Sequence, residues 1–198
     1  MTGGIWFTSD LHFGHEKVSG LRGFPDPYAH DMVVADYWQS TVRKNDTVYV
    51  LGDLTCDQRK EDYALEMISC LHGTKHLIAG NHDSVSSIHR NGWKRQRKYL
   101  GVFESVRDFG KIRLNKRDIL LSHYPYSTSV EADHGEVRYE EYRLPDKGIP
   151  LLHGHTHLAH QRRHISTLGT TQIHVGLDAW DLRPVSLGTI DRLLKGEN

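Results

Sequence analysis

Asp10, His12, Asp53, Asn81, His123, His155 and His157 are the residues of this sequence best suited to chemistry, and each falls just beyond a short apolar run. Carboxylates, an amide oxygen and imidazoles make a mixed oxygen and nitrogen donor set that suits divalent Mn, Fe, Zn, Co or Ni. It suits Ca poorly, because calcium prefers oxygen alone. The pairs Asp10-x-His12 and His155-x-His157 add to this, since alternate residues of an extended strand point the same way and both members of a pair can reach one site. Gly80, Asn81, His82 and Asp83 by themselves read as a strand-to-helix corner, because Gly, Asn and Asp tolerate positive φ and bond to nearby backbone. A lone histidine is more often a surface or hydrogen-bonded core residue than a ligand. The shared position after apolar runs is what sets these apart.

The elements that must place them follow from periodicity. Ile5 to Thr8 is a short β-prone run ending at Ser9 and Asp10, and Thr47 to Leu51 is another, ending at Gly52 and Asp53. Between them Val33, Val34, Tyr37, Trp38 and Val42 recur at helical spacing, predicting a helix of about three turns. Tyr63, Ala64, Met67, Ile68 and Leu71 predict a second helix, closed by Gly73, before a third strand, His76 to Ala79. Strand and helix alternating in this way imply a parallel α/β sheet, in which ligands bind beyond the carboxyl ends of the strands. The second half reads as short strands over Val106 to Phe109, Ile112 to Leu114 and Ile119 to Ser122, joined by hairpins rather than crossover helices. Ile119 to Leu121 lead into His123, and Ile149 to Leu152 lead into His153, Gly154, His155, Thr156 and His157. Thr171 to Val175 is a further strand, and Leu187 to Leu194 a final helix. Tyr124 to Lys147 is polar and rich in tyrosine and acid, which suits a loop near a site.

A chain of 198 residues without internal repeat or linker is expected to form one domain over 1–198. Lys plus Arg and Asp plus Glu both number 25, so a nucleic acid or membrane would have to be held by a local patch. The 15 histidines form no single run, and Cys56 and Cys70 form no Cys-x-x-Cys pair, which argues against a disulfide framework and a thiolate zinc site. No segment approaches the ~20 apolar residues of a membrane span, and the N-terminus carries no leader pattern. A cytoplasmic protein without a membrane partner is expected.

Asp10 and His12, Gly52 and Asp53, Gly80 to Asp83, His123, and Gly154 to His157 resemble the five ordered motifs of the calcineurin-like metallophosphoesterases. The resemblance implies a four-layered α/β/β/α sandwich and two divalent ions, with Mn the leading choice. It places Asp10, His12 and His157 on one ion, Asn81, His123 and His155 on the other, and Asp53 between them. It also implies hydrolysis of a phosphoester by in-line displacement, with water activated between the ions. His82, beside Asn81 but not a ligand in this scheme, would protonate the leaving group. Asp83 would orient that imidazole or cap a helix at Ser84, and His15 would contact substrate or water, or simply face solvent.

Ala79 before Gly80, and Leu54 to Gln58 after Asp53, depart from the arginine-bearing motifs of the protein phosphatases in this family. Without that guanidinium clamp a diester, less charged than a monoester, is the better substrate, unless Arg59 or another arginine substitutes. A nucleotide or cyclic nucleotide is the expected substrate class. Arg90, Lys94, Arg95, Arg97 and Lys98 around Trp93 would either track a nucleic-acid backbone, as in a nuclease, or form a solvated loop with Trp93 folded inward. Tyr124 and Tyr126 would flank a nucleobase or pack their loop. A structural-metal binding module without turnover is the reading from another class.

Overall fold

The computed structural model describes residues 3–127 and 138–197. β1 (Ile5–Thr8), β2 (Thr47–Val50), β3 (Thr74–Ile78) and β4 (Ser105–Arg107) run parallel in one sheet, and β10 (Val185–Ser186) pairs antiparallel with β1 at its edge. Helices α1 (Glu16–Leu21) and α2 (Pro27–Thr41) connect β1 to β2, α3 (Glu61–Ser69) connects β2 to β3, and α4 (Gln96–Tyr99) precedes β4. The α2 helix starts ahead of Val33, the first residue of the helical spacing, because Asp26 accepts a hydrogen bond from the Ala29 amide at 2.8 Å and Pro27 occupies the first turn. Its Val34 and Trp38 pack with Ala64, Leu65 and Ile68 of α3 against Val48, Val50 and Leu77 of the sheet.

The second sheet holds β5 (Phe109–Leu114), β6 (Arg117–Ser122), β7 (Leu151–His153), β8 (Arg163–Ile165) and β9 (Thr171–His174), in the order β5-β6-β7-β9-β8. β5 and β6 form a hairpin whose Asn115 and Lys116 have φ of 49° and 66°, the mirror-image turn that matches strand twist. The expectation of hairpins over 106–122 holds for β5 with β6 but not before Ile112, since Phe109–Leu114 is one strand; β8, which was not expected, pairs antiparallel with β9, and β6, β7 and β9 are parallel neighbours. Between β7 and β9 the chain returns through 154–170, which holds β8 and no α-helix. The expected strand Val106 to Phe109 is divided at Asp108, where the chain leaves β3 in the first sheet and enters the second beside β6. The expected loop from Tyr124 to Lys147 lies partly outside the described residues.

Phe7, Leu51 and Ile78 of the first sheet meet Ile119, Leu121, Leu152 and Ile173 of the second in one core. The helix α5 (Leu187–Leu194), capped by Ser186 on the Thr189 amide at 3.1 Å, adds Ile190 to it. The result is an α/β fold with two mixed sheets, consistent with the α/β/β/α sandwich. Fully burying each such apolar side chain stabilises the fold by about 1.5–3 kcal/mol, which offsets the removal of Asp10, Asp53, His123 and His153 from water. The sheets meet at their carboxyl ends, where Ser9 bridges Gly176 and the Leu177 amide donates to the Ser9 carbonyl at 3.1 Å. No described helix is long and apolar enough to cross a membrane.

Candidate metal centre

Asp10, His12, Asp53, His155 and His157 have φ of 58°, 52°, 57°, 71° and 52°. The two spaced pairs therefore do not project from an extended strand. Each strand has ended, and left-handed turns bring the side chains together beyond the strand ends. A left-handed non-glycine backbone costs about 1–2 kcal/mol, and such strain gathers where function requires a fixed geometry. Neighbouring loops hold these turns: the Asp10 amide donates to the Gly52 carbonyl at 3.0 Å and the His12 amide to that of Asp53 at 3.2 Å.

Asp10, His12 and His157 bring one donor atom each to within 4.8 Å of the others. His12 Nε2 and His157 Nε2 face each other at 3.1 Å, and His157 Nε2 is 3.8 Å from Asp10 Oδ1. The outer nitrogens are engaged: His157 Nδ1 donates to Asp178 Oδ2 at 2.9 Å, and His12 Nδ1 lies 2.8 Å from Cys56 Sγ. Burial, then the neighbouring His157, holds His12 well below the usual histidine range and so neutral. Burial lowers His157 too, but the carboxylates of Asp10 and Asp178 outweigh it and raise this histidine.

Asp10 also converges with Asp53 and His123, again within 4.8 Å. His123 Nε2 lies 3.2 Å from Asn81 Oδ1 and 3.4 Å from Asp53 Oδ2, while its Nδ1–H donates to the Leu51 carbonyl at 2.7 Å. That last bond sets the tautomer, leaving Nε2 as the ligating nitrogen. The His89 ring donates to the Asn81 carbonyl at 3.0 Å, fixing the backbone of that residue. His155 stacks edge-on to His123 with ring centroids 5.1 Å apart, and its amide donates to both Asp10 oxygens at 3.2 and 3.1 Å. Burial pushes His123 down, yet the adjacent Asp53 carboxylate lifts it to about 9. Asp53 is correspondingly depressed, against burial, chiefly by His123. Burial, then the charge of His123, draws His155 down to about 2.

Two glycines allow this approach. A Cβ on Gly52 (φ +90°) would lie 2.5 Å from the Gly80 nitrogen, and one on Gly80 would lie 2.2 Å from Asp53 Oδ1. The carboxylate of Asp83 ties the same turns together, accepting from the amides of Asp53, Leu54 and Gly80 at 2.9, 3.0 and 2.8 Å. Both expectations for Asp83 are thereby corrected. Its oxygens are engaged by backbone amides rather than by the His82 ring, and no helix begins at Ser84. Burial and the charge of Asp53 raise this carboxyl above the usual range.

His82 is exposed, its ring 6.1 Å from that of His12, and its amide donates to Asp53 Oδ1 at 2.9 Å. His15 is half-buried with its ring 6.0 Å from that of His12, and forms a third group of candidate donors with His12 and Cys56. Tyr124 packs edge-on against His123 and His155, whereas Tyr126 is fully buried and serves its loop, its amide donating to Gln172 at 2.8 Å. Trp93 is 70 % exposed, so the inward-folded alternative does not hold. Residue-type arguments passed over Cys56, because it lacks a paired cysteine, and Asp178. The signal for Asp178 was there: Gly176, Leu177 and Asp178 follow the apolar run of β9 as Gly52 and Asp53 follow β2.

The pattern shared by the calcineurin-like phosphoesterases matches residues 4–159. The chain belongs to this family. It is similar to the Gene 66 protein of Mycobacterium phage L5, 42% identical over 88% of this chain and 86% of the phage protein. It is also similar to the Gene 66 protein of Mycobacterium phage D29, at 39% identity over 91% and 92% of the two chains. The crystal structure of AQ665 from Aquifex aeolicus, a protein of unknown function, superposes with a TM-score of 0.68 at 25% identity, covering 96% of this chain and 98% of that one. A calcineurin-like phosphoesterase is a metal-dependent hydrolase, and the donors here fit that requirement. Two oxygen and nitrogen clusters sharing Asp10, with imidazoles held in ligating tautomers from behind, are suited to a pair of divalent ions.

Proposed function

We propose that this calcineurin-like phosphoesterase is a dinuclear phosphodiesterase acting on nucleotide-type diesters such as cyclic nucleotides. The observation that carries the reading is the meeting of the clusters Asp10–His12–His157 and Asp10–Asp53–His123 at one point. Asp10, His12 and His157 would hold one ion, Asn81, His123 and His155 the other, with Asp53 between them and Mn preferred over Fe, Zn, Co or Ni. Bound there, two ions would bring the pKa of a water toward ~7 and draw charge from the attacking and leaving oxygens.

The protein's own residues do the rest. Leu51 and Asp178 fix the rings of His123 and His157, and Asp83 fixes the turns that carry Asp53 and Asn81. The exposed His82 imidazole donates a proton to the departing oxygen. Arg59 is paired with Asp57 at the surface, its side chain 89% exposed, and Arg22 is spent on Asp178, so neither supplies the monoester clamp. That favours a diester. The free thiols Cys56 and Cys70 fit a reducing cytoplasm.

Mn²⁺ added to metal-free protein should restore hydrolysis of bis-nitrophenyl phosphate in preference to nitrophenyl phosphate. Asp53→Ala and Asn81→Ala should abolish it. Metal-replete protein that cleaves neither ester, or variants that keep full activity, would end this reading. The exposure of Trp93 favours a second reading, a nuclease. Lys94 Nζ lies 5.4 Å from the Trp93 ring, and Arg90, Arg95 and Arg97 are exposed around it, while Lys98 is held by Glu61 and Asp62. Stacking on such a ring contributes about 1–3 kcal/mol per base. Quenching of Trp93 fluorescence by an oligonucleotide, lost steeply with salt and accompanied by strand cleavage, would establish it. No quenching at low salt would dismiss it.

A further inference from the structure

We propose that Asp178, held by Arg22, is the positioning residue that keeps His157 facing the metal site, and that Arg22 couples His157 to the Asp10 turn. The inference rests on the dinuclear reading above. Asp178 lies in the turn Leu177–Ala179 after β9, beyond the segment 4–159 that carries the family pattern.

The geometry is a continuous chain of short contacts. His157, whose side chain is 27% exposed, has one fixed partner behind its ring among the described residues, Asp178 Oδ2 at 2.9 Å. That bond directs Nε2 toward His12 Nε2, 3.1 Å away. Asp178 is in turn gripped at both oxygens by Arg22, Nε to Oδ1 at 2.9 Å and Nη2 to Oδ2 at 2.8 Å. This bidentate geometry fixes direction as well as distance. The same guanidinium donates to the Asp10 carbonyl at 2.8 Å, to the Leu11 carbonyl at 3.3 Å, and to His30 Nε2 at 3.0 Å.

Behind it, His30 Nδ1 donates to Asp31 Oδ1 at 2.7 Å, and Asp31 Oδ2 accepts from the Gly14 amide at 2.8 Å and the Tyr63 hydroxyl at 2.9 Å. Arg22 is 5% exposed, so the pair is well shielded from competing water. One buried ion pair therefore sets the side chain of His157 and the backbone of Asp10, two donors of the same cluster from opposite halves of the chain. Partners behind a ligating imidazole fix its tautomer and raise its basicity, and their loss lowers metal affinity about 10–100-fold.

The test is equilibrium dialysis of the full-length protein against Co²⁺, with metal quantified and the visible absorption of bound Co²⁺ recorded. Wild type is expected to hold two ions. At the same free Co²⁺, folded Asp178→Ala should hold one, its weaker site lowered about 10–100-fold, with loss of part of the Co²⁺ spectrum. Asp178→Asn, whose amide oxygen can still accept from His157 Nδ1–H, should lose less. A purely structural Asp178 would lower thermal stability while both ions stayed bound with wild-type affinity, and that result in either folded variant overturns the inference. If Asp178→Ala does not fold, Asp178→Asn decides by the same criterion. Wild type binding fewer than two ions would refute the dinuclear reading itself, and this inference with it.

Discussion

Replacing Gly52 with alanine tests how the centre is assembled, because two separable costs meet at that residue. One is backbone conformation. Gly148 isolates it: φ is +79° and an added Cβ would meet nothing within 4 Å. Gly148→Ala should therefore cost only the left-handed penalty of about 1–2 kcal/mol, less about 0.4–1 kcal/mol gained by restricting the unfolded chain. The other cost is close approach. Gly80 isolates that one, since its φ is not left-handed, yet a Cβ there would lie 2.2 Å from Asp53 Oδ1, 2.7 Å from the Asp53 nitrogen and 2.9 Å from His123 Cε1. Overpacking of this kind costs about 1–3 kcal/mol. Gly52 combines φ of +90° with a Cβ 2.5 and 2.6 Å from the Gly80 nitrogen and Cα, atoms that no rotamer change can move. Gly52→Ala should then destabilise by about 2–5 kcal/mol, the sum of both, less the same unfolded-chain gain. Urea unfolding of chelator-treated protein measures all three, and a Co²⁺ titration should show weakened binding for Gly52→Ala and Gly80→Ala but not for Gly148→Ala. The reasoning fails if Gly148→Ala is as destabilising as Gly52→Ala, or if Gly80→Ala lies within about 0.5 kcal/mol of wild type.

His82→Asn should slow diesters with poor alkoxide leaving groups by about 10²–10⁴ while sparing nitrophenolate esters; an equal loss for both removes its role as acid. His123 is raised to about 9 in the metal-free protein, so a proton competes with metal below that pH, and apparent affinity at the Asn81–His123 site should rise about tenfold per pH unit up to it. The sign for stability follows from the same shift: the His123–Asp53 pairing is fully present below the unfolded histidine pKa of about 6.5 and is lost as pH climbs through about 9. Chelated protein should therefore lose melting temperature across that window, and a flat profile in both measurements refutes the assignment. Glu61 accepts from Tyr99 at 2.9 Å, Lys98 at 2.5 Å and Ser84. Glu61→Ala should cost about 2–4 kcal/mol in chemical denaturation by leaving buried donors unmet; a change below about 0.5 kcal/mol would show the cluster to be dispensable.

Much of this was legible from residue pattern. The strand ends at Asp10, Asp53 and Asn81 follow from alternation of apolar runs with helical spacing, a local property, and α5 spans Leu187–Leu194 as its periodicity indicates. What escaped is non-local or conformational. The split at Asp108 depends on which sheet each half of an apolar run finds, and nothing in Val106 to Phe109 encodes that choice. The Asp-x-His spacing pointed to the right residues by a mistaken route, because left-handed turns at φ of 58° and 52°, not an extended strand, bring Asp10 and His12 together. Asp83 looked like a partner for its neighbour His82, but its acceptors are taken by amides 29 and 30 residues away in the chain, as well as by Gly80. Cys56 carries no sequence signal because it matters only through His12, which it touches, while Asp178 is marked only by its place after the apolar run of β9.

Of the ten described non-glycine residues with left-handed backbone, five are Asp10, His12, Asp53, His155 and His157. At about 1–2 kcal/mol for each of the three histidines, with less at the two aspartates, they withhold a large share of the net stability of an ordinary domain, about 5–15 kcal/mol. Selection for persistence of the fold and selection for its metal chemistry thus pull in opposite directions at the same five positions. A lineage released from catalytic duty is expected to drift there first, towards glycine and asparagine, which occupy such backbone at little cost. The turns would outlast the ligands, leaving the outline of the centre in the main chain of descendants that no longer bind metal.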